Sequence, residues 1–190
     1  MYEVPIHISA RHIHLSANHM TQLFGVGYQL HSLKALSQPN QFAAQETVQV
    51  IGPKGCFEHV RVLGPSRGDT QLEISRTDAF TLGINPPVRL SGHIEETPGV
   101  RLQGPSGEVQ LERGVIIAAR HIHLHTKDAE VMQIQDQQIV QVKIEGMRSV
   151  TFHHVVCRVS EHYALDMHID TDEANAAAIQ NGDKGIILVV

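Results

Sequence analysis

The sequence predicts a mainly β fold, two small β-barrels capped by short α-helices. Three observations carry that expectation. Fifteen Gly and eight Pro are spread among short apolar runs in a chain of 190 residues, which suits many short strands joined by turns. Two Gly-Pro turns, Gly52-Pro53-Lys54-Gly55 and Gly104-Pro105-Ser106-Gly107, each sit between alternating stretches and read as hairpins. A short phrase also occurs twice: Ser9-Ala10-Arg11-His12-Ile13-His14-Leu15 returns as Ala118-Ala119-Arg120-His121-Ile122-His123-Leu124.

Taken in order, Val4 to Leu15 reads as a strand ending in the first His pair, followed by a short helix with Ser16 as N-cap and Gly25 or Gly27 as stop. Gln29 to Leu36 reads as a connector carrying Lys34. The first hairpin covers Thr47 to Leu63, and Leu63 to Asp69 reads as a turn into a strand whose alternation places Gln71, Glu73 and Ser75 on one face. Thr77 to Gly83 has the form of a capped helical turn with a glycine stop. After the second His pair, Thr126 to Met132 repeats the order of strand then short helix, which extends the repeat to a supersecondary unit. Strands at Val140 to Ile144 and Ser149 to Val159 follow, then a helix capped by Thr171 or Asp172, and a last strand from Gly185. No Ser/Gly/Pro-rich linker divides the halves, so a shared interface and a site between them are expected.

Composition narrows the function. Aromatic residues make up 4% of the chain, Trp is absent and the formal charge is -5, so a base-stacking nucleic-acid surface is not expected. No apolar run approaches the roughly 18 residues of a membrane span, and no signal peptide opens the sequence; a soluble, cytoplasmic protein is expected. Cys56 and Cys157 are isolated and lack CxxC spacing, which supports neither a disulfide framework nor a thiolate zinc cluster. No GxSxG, Walker A or GxGxxG motif is present.

The unusual count is 14 His. In a strand, His12 and His14, and likewise His121 and His123, share a face roughly 6 to 7 Å apart and can converge on one ion. The exact recurrence of the pair inside apolar strands argues against two solvated His faces. A catalytic zinc usually has three protein ligands, so each pair needs a third. Glu73, on an otherwise neutral strand, and His168, just before a helix start, are candidates; His125 rivals His168, and spacing alone leaves that choice open. Lys34, Arg61 and Arg67 are the cations to consider for an anionic substrate. The remaining His read as surface or structural, and Asp170, Asp172 and Glu173 as helix-capping residues.

The stretches RHIHLS, LSQPNQFAAQETVQVIGPKG, RVLGPSR, TQLEIS, TDAFTLGINPPVRLSG, GVIIAARHIHL and LDMHIDTDEANAA together resemble the PduL-type phosphotransacylase, or phosphate propanoyltransferase, family along essentially the whole chain. The resemblance implies reversible transfer of a short acyl group, propanoyl or acetyl, between coenzyme A and inorganic phosphate, as in propanediol or ethanolamine degradation. It implies two Zn2+ ions, one on His12, His14 and Glu73 and one on His121, His123 and His168, although such ligands also suit Co2+ or Fe2+. Arg67 corresponds to the phosphate-binding arginine, and Ile8, Ser9, Ala10, Lys34, Arg61 and Asn175 to the coenzyme A site. One zinc would hold the thioester sulfur, the other, with Arg67, the phosphate.

The partners implied are acyl-CoA, inorganic phosphate and acyl phosphate, without nucleic acid or membrane; a homo-oligomer is compatible with this. The fold implied has residues 11–118 in a central barrel and 1–10 plus 119–190 in a second, which the N-terminal strand rejoins, with the active site between them. Two positions depart from the pattern: His7 stands where a small residue is expected and His125 where an apolar residue or Pro is. The N-terminal extension of microcompartment-associated relatives is not seen ahead of the first strand. A two-metal thioester or phosphoester hydrolase, or a metal-buffering protein, is the alternative that paired His sites alone would support.

Overall fold

The computed structural model describes residues 2–189. In chain order the elements are β1 (Tyr2–Ser9), β2 (His12–Ser16), α1 (Ala17–Phe24), β3 (Ser32–Ala35), β4 (Phe42–Ile51), β5 (Cys56–Arg67), β6 (Gln71–Glu73) and α2 (Arg76–Leu82). Then come β7 (Val88–Arg89), β8 (Arg101–Gln103), β9 (Glu108–Gln110), β10 (Val115–Ala118), β11 (His121–Leu124) and α3 (Thr126–Met132). The chain ends with β12 (Ile139–Ile144), β13 (Val150–Val159), β14 (Asp166–Asp170), α4 (Thr171–Ala177) and β15 (Lys184–Leu188). The fold is mainly β with short helices, as the glycine and proline pattern predicts.

The chain divides into two compact units. The barrel unit comprises residues 1–9, 37–39 and 119–190 and closes six strands in the order β1-β14-β11-β13-β12-β15. The N-terminal strand lies parallel to β14 and antiparallel to β15, so it completes a barrel whose other strands lie more than a hundred residues on. Residues 37–39 belong here through Gln38, whose amide exchanges hydrogen bonds with the backbone of Ala164. Val4, Ile6, Ile122, Leu124, Val142, Met167 and Ile169 fill the interior, each burial contributing roughly 1.5–3 kcal/mol.

The half-barrel unit comprises residues 10–36 and 40–118. Its sheet runs β7-β10-β6-β2-β5-β4-β8-β9, with β3 paired to β4. Ile13, Leu15, Val60, Val62, Leu72 and Leu102 form its core. Gly64 has no room for a side chain, since a Cβ would stand 2.2 Å from the Phe42 ring.

Local differences from the sequence reading have simple causes. The connector around Lys34 contains a strand, β3, whose residues are all exposed; an edge strand with neither face buried has no alternation to detect. The segment read as a turn after Leu63 continues β5 as far as Arg67, because an irregularity against β2 absorbs the extra residues. The last helix is capped by Asp170 and not by Thr171 or Asp172: its carboxylate accepts the Glu173 backbone N–H and Glu173 returns the bond.

Glu46 illustrates how the half-barrel unit ties down its connector. Its buried carboxylate accepts from Tyr28 Oη (2.9 Å), from the His31 backbone N–H (3.1 Å) and from His31 Nδ1 (2.7 Å). Burial favours the neutral acid, but the hydrogen bonds led by His31 outweigh it and lower the pKa below the ordinary value. A lowered folded-state pKa gives stability present above the unfolded value and lost as pH falls through the folded one. Glu46→Gln should therefore lose part of the stability difference between neutral pH and pH 3, read as urea midpoints against pH. A slope identical to that of the parent protein would rule out this contribution.

Candidate metal centres

Strand alternation builds both sites. Along β2, Ile13 and Leu15 point into the core, so His12 and His14 share the opposite face, where both are also buried. The antiparallel neighbour β6 sets Glu73 opposite His12 and Gln71 opposite His14. Ligand atoms of His12, His14 and Glu73 lie within 4.8 Å of one another. His12 Nδ1 lies 2.9 Å from the Ala10 carbonyl, to which its N–H donates, leaving the lone pair on Nε2. Glu73 Oε2 is 3.5 Å from that Nε2. Its Oε1 accepts from Gln71 Nε2 at 2.6 Å and Ser91 Oγ at 2.9 Å, which fixes the carboxylate plane.

The second triad repeats the plan in the barrel unit. His121 and His123 lie on β11, and antiparallel β14 sets His168 opposite His121 and Asp166 opposite His123. The ligand atoms of His121, His123 and His168 again fall within 4.8 Å of one another. His121 Nδ1 donates to the Ala119 carbonyl at 2.8 Å, and its Nε2 stands 3.1 Å from His123 Nε2. Asp166 holds His168 Nε2 at 2.8 Å and His7 Nδ1 at 2.7 Å.

The repeated arginine is outside the two triads. Arg11 bonds Asp78 through Nε at 3.0 Å and lies 4.2 Å over the Phe57 ring, while Arg120 bonds Glu173 at 2.7 Å and lies 5.2 Å over Phe152. Asp78 and Glu173 each occupy the N3 position of a capping box, in α2 and α4. The arginine therefore ties the His strand to the helix that follows the third ligand. This pairing was invisible in the sequence, because the acids lie 67 and 53 residues downstream without a local pattern.

Electrostatics favour neutral rings at His14 and His123, and a charged one at His12. Burial, with the neighbouring His12 and Arg67 charges, pushes His14 down to about 3. Burial together with His121, His168 and Arg158 pushes His123 down to about 2. Burial of His12 works against its charge, but the Glu73 carboxylate outweighs it and raises the ring's pKa. Burial of Glu73 would favour the acid, but the His12 ring and its hydrogen bond hold the carboxyl well below its usual range.

These donors fit a metal ion such as zinc. In a tetrahedral site with Zn–N of 2.0–2.1 Å, adjacent nitrogens lie about 3.3 Å apart, close to the 3.1 Å between His121 and His123. The Nδ1 atoms of His14 and His123 are buried and make no side-chain hydrogen bond among the described residues.

The other predicted residues fall as follows. Arg67 donates to Ser91 Oγ at 3.2 Å, and its charge is felt by His12 and His14, so it belongs with the first triad. Ile8, Ser9 and Asn175 lie in the barrel unit, Ala10, Lys34 and Arg61 in the half-barrel unit. Arg61 Nη1 donates to the carbonyls of Ala44 and Gln45 at 3.1 and 2.8 Å. His125 serves as N-cap of α3, its Nδ1 accepting the Lys127 N–H at 3.1 Å. Cys157 is buried, and burial with Asp136 raises its thiol to about 12, so it is no nucleophile. No described helix is long and apolar enough to cross a membrane.

Two metal-competent triads, built by one supersecondary plan on two β units, define a candidate two-centre enzyme. A family model described as phosphate propanoyltransferase matches residues 5–180. A phosphate propanoyltransferase of Thermotoga maritima is 56% identical over 93% of this chain and 84% of its own. Those of Enterococcus faecalis and Salmonella typhimurium are each 50% identical, over 96% and 94% of this chain and 87% and 85% of theirs. The chain belongs to the phosphate propanoyltransferase family, and it is an acyltransferase.

Proposed function

We propose that the protein transfers a short acyl group, propanoyl or acetyl, reversibly between coenzyme A and inorganic phosphate, using two Zn2+ ions. The observation that carries the reading is the pair of equivalent triads with Arg67 beside the first, in a chain of this family. A bound zinc would supply Lewis acidity and an affinity for sulfur at each triad. His12, His14 and Glu73 would hold one ion and His121, His123 and His168 the other.

Arg67 binds the phosphate dianion through its planar fork and presents one oxygen to the thioester carbonyl. The carbon–oxygen bond forms as the carbonyl becomes a tetrahedral oxyanion, which the Arg67 charge stabilises. Collapse breaks the carbon–sulfur bond, coenzyme A leaves as a thiolate that takes up the proton carried by the attacking phosphate, and acyl phosphate is released. No acyl-enzyme is needed, consistent with the inert Cys157 thiol. Ile8, Ser9, Ala10, Lys34, Arg61 and Asn175 would bind coenzyme A, with Lys34 and Arg61 meeting its phosphates.

Propanoyl-CoA consumption by zinc-loaded protein, with and without phosphate, tests this. Turnover should require phosphate and yield propanoyl phosphate. Release of free propanoate without phosphate would instead identify a thioester hydrolase.

A further inference from the structure

The geometry points to a positioning residue beyond the two triads: we infer that Asp166, backed by His7, orients His168 as a metal ligand of the second centre. This rests on the reading of His121, His123 and His168 as a metal site.

Asp166 is 1% exposed, and an isolated carboxylate that deep is costly without partners. Both of its oxygens are engaged, Oδ2 with His168 Nε2 at 2.8 Å and Oδ1 with His7 Nδ1 at 2.7 Å. Strand pairing sets His7 on β1 directly beside His168 on β14, so the two rings bracket the carboxylate. With its Nε2–H donated to Asp166, the His168 ring carries its lone pair on Nδ1. A carboxylate behind a ligating imidazole fixes tautomer and ring plane and raises basicity. Asp166 is not itself in the set of converging ligand atoms, which makes it a support and not a fourth ligand.

The internal repeat supplies independent support. Gln71 stands two residues before Glu73, as Asp166 stands two before His168, and occupies the equivalent register opposite the second His of the pair. It donates to Glu73 Oε1 at 2.6 Å and is itself held by the Gly92 N–H at 2.7 Å. Each third ligand is thus braced from the same strand face, by an amide for a carboxylate and by a carboxylate for an imidazole. The residue chemistry follows the ligand: an acceptor carboxylate is held by donors, a donor ring by an acceptor.

The test uses the full chain, Zn2+ competition against a chromophoric chelator and Co2+ titration followed by visible d–d absorption. The parent protein should bind two ions. Asp166→Asn should keep one affinity and weaken the other on the order of 10–100-fold, with a changed Co2+ spectrum for the weakened centre. His7→Ala should weaken the same centre less, and should add nothing in the Asp166→Asn background. Two unchanged affinities and an unchanged spectrum in folded Asp166→Asn would overturn the inference. Should that variant fail to fold, His7→Ala decides: a weakened second centre supports the inference, and an unchanged one overturns it. If the parent protein binds no ion that His121→Ala removes, the metal reading itself fails and the inference with it.

Discussion

His123→Ala should leave one bound metal ion per chain instead of two and should reduce acyl transfer on the order of 10³-fold or more, since a catalytic metal supplies several kcal/mol of charge stabilisation. His123 is central to the second triad: its ring lies 4.7 Å from His121 and 5.0 Å from His168, centroid to centroid. The low pKa of this ring, about 2, means that no proton competes for its lone pair at neutral pH. Metal analysis of the dialysed variant, beside a steady-state assay, checks both halves of the expectation. His125→Ala is the internal control, because His125 caps α3; it should cost stability of up to about 1 kcal/mol and leave metal content at two. Two ions retained in His123→Ala would remove this triad as a binding site.

Arg67→Ala should raise the KM for phosphate and lower kcat, the two together costing on the order of 10²–10³-fold in kcat/KM for phosphate, while the KM for acyl-CoA changes little. Arg67→Lys should recover only part of the loss, because an ammonium lacks the planar fork that matches two phosphate oxygens. Arg67 also donates to Ser91, which holds Glu73, so an indirect effect through the first triad needs separating. Ser91→Ala does that: it loosens Glu73 but leaves the guanidinium, and should lower metal affinity without the selective rise in phosphate KM. Unchanged phosphate KM and turnover in Arg67→Ala would end its assigned role.

Much of the local structure was legible because it is written in short-range chemistry. Ser16 and Gly25 bound α1 as expected from an N-cap hydroxyl and a glycine stop. The alternation of His with Ile and Leu fixed which side chains face the core in both repeats. His125 shows where local reading was ambiguous: spacing extended the HxH pattern to it, yet Leu124 ends β11 and the backbone turns into α3. Asp166 was missed, although it sits two residues before His168 in a strand. An acidic residue in a short segment carries no sign of burial until its neighbours are known, and those neighbours, His7 and His168, come from opposite ends of the chain.

By itself the sequence determined that there are two copies of a His-pair strand, each followed by a short capped helix, and that the pairs can ligate metal. These properties depend on side-chain alternation and on contacts a few residues apart. Spacing left the third ligand of each pair open and the family resemblance supplied Glu73, His168 and the return of the N-terminal strand; the tertiary structure brings those residues together, and it alone decided that Arg11 and Arg120 brace capping boxes. Those outcomes depend on strand register between segments up to about 180 residues apart, and hydrogen-bonded register is a property of two strands together that neither one encodes alone.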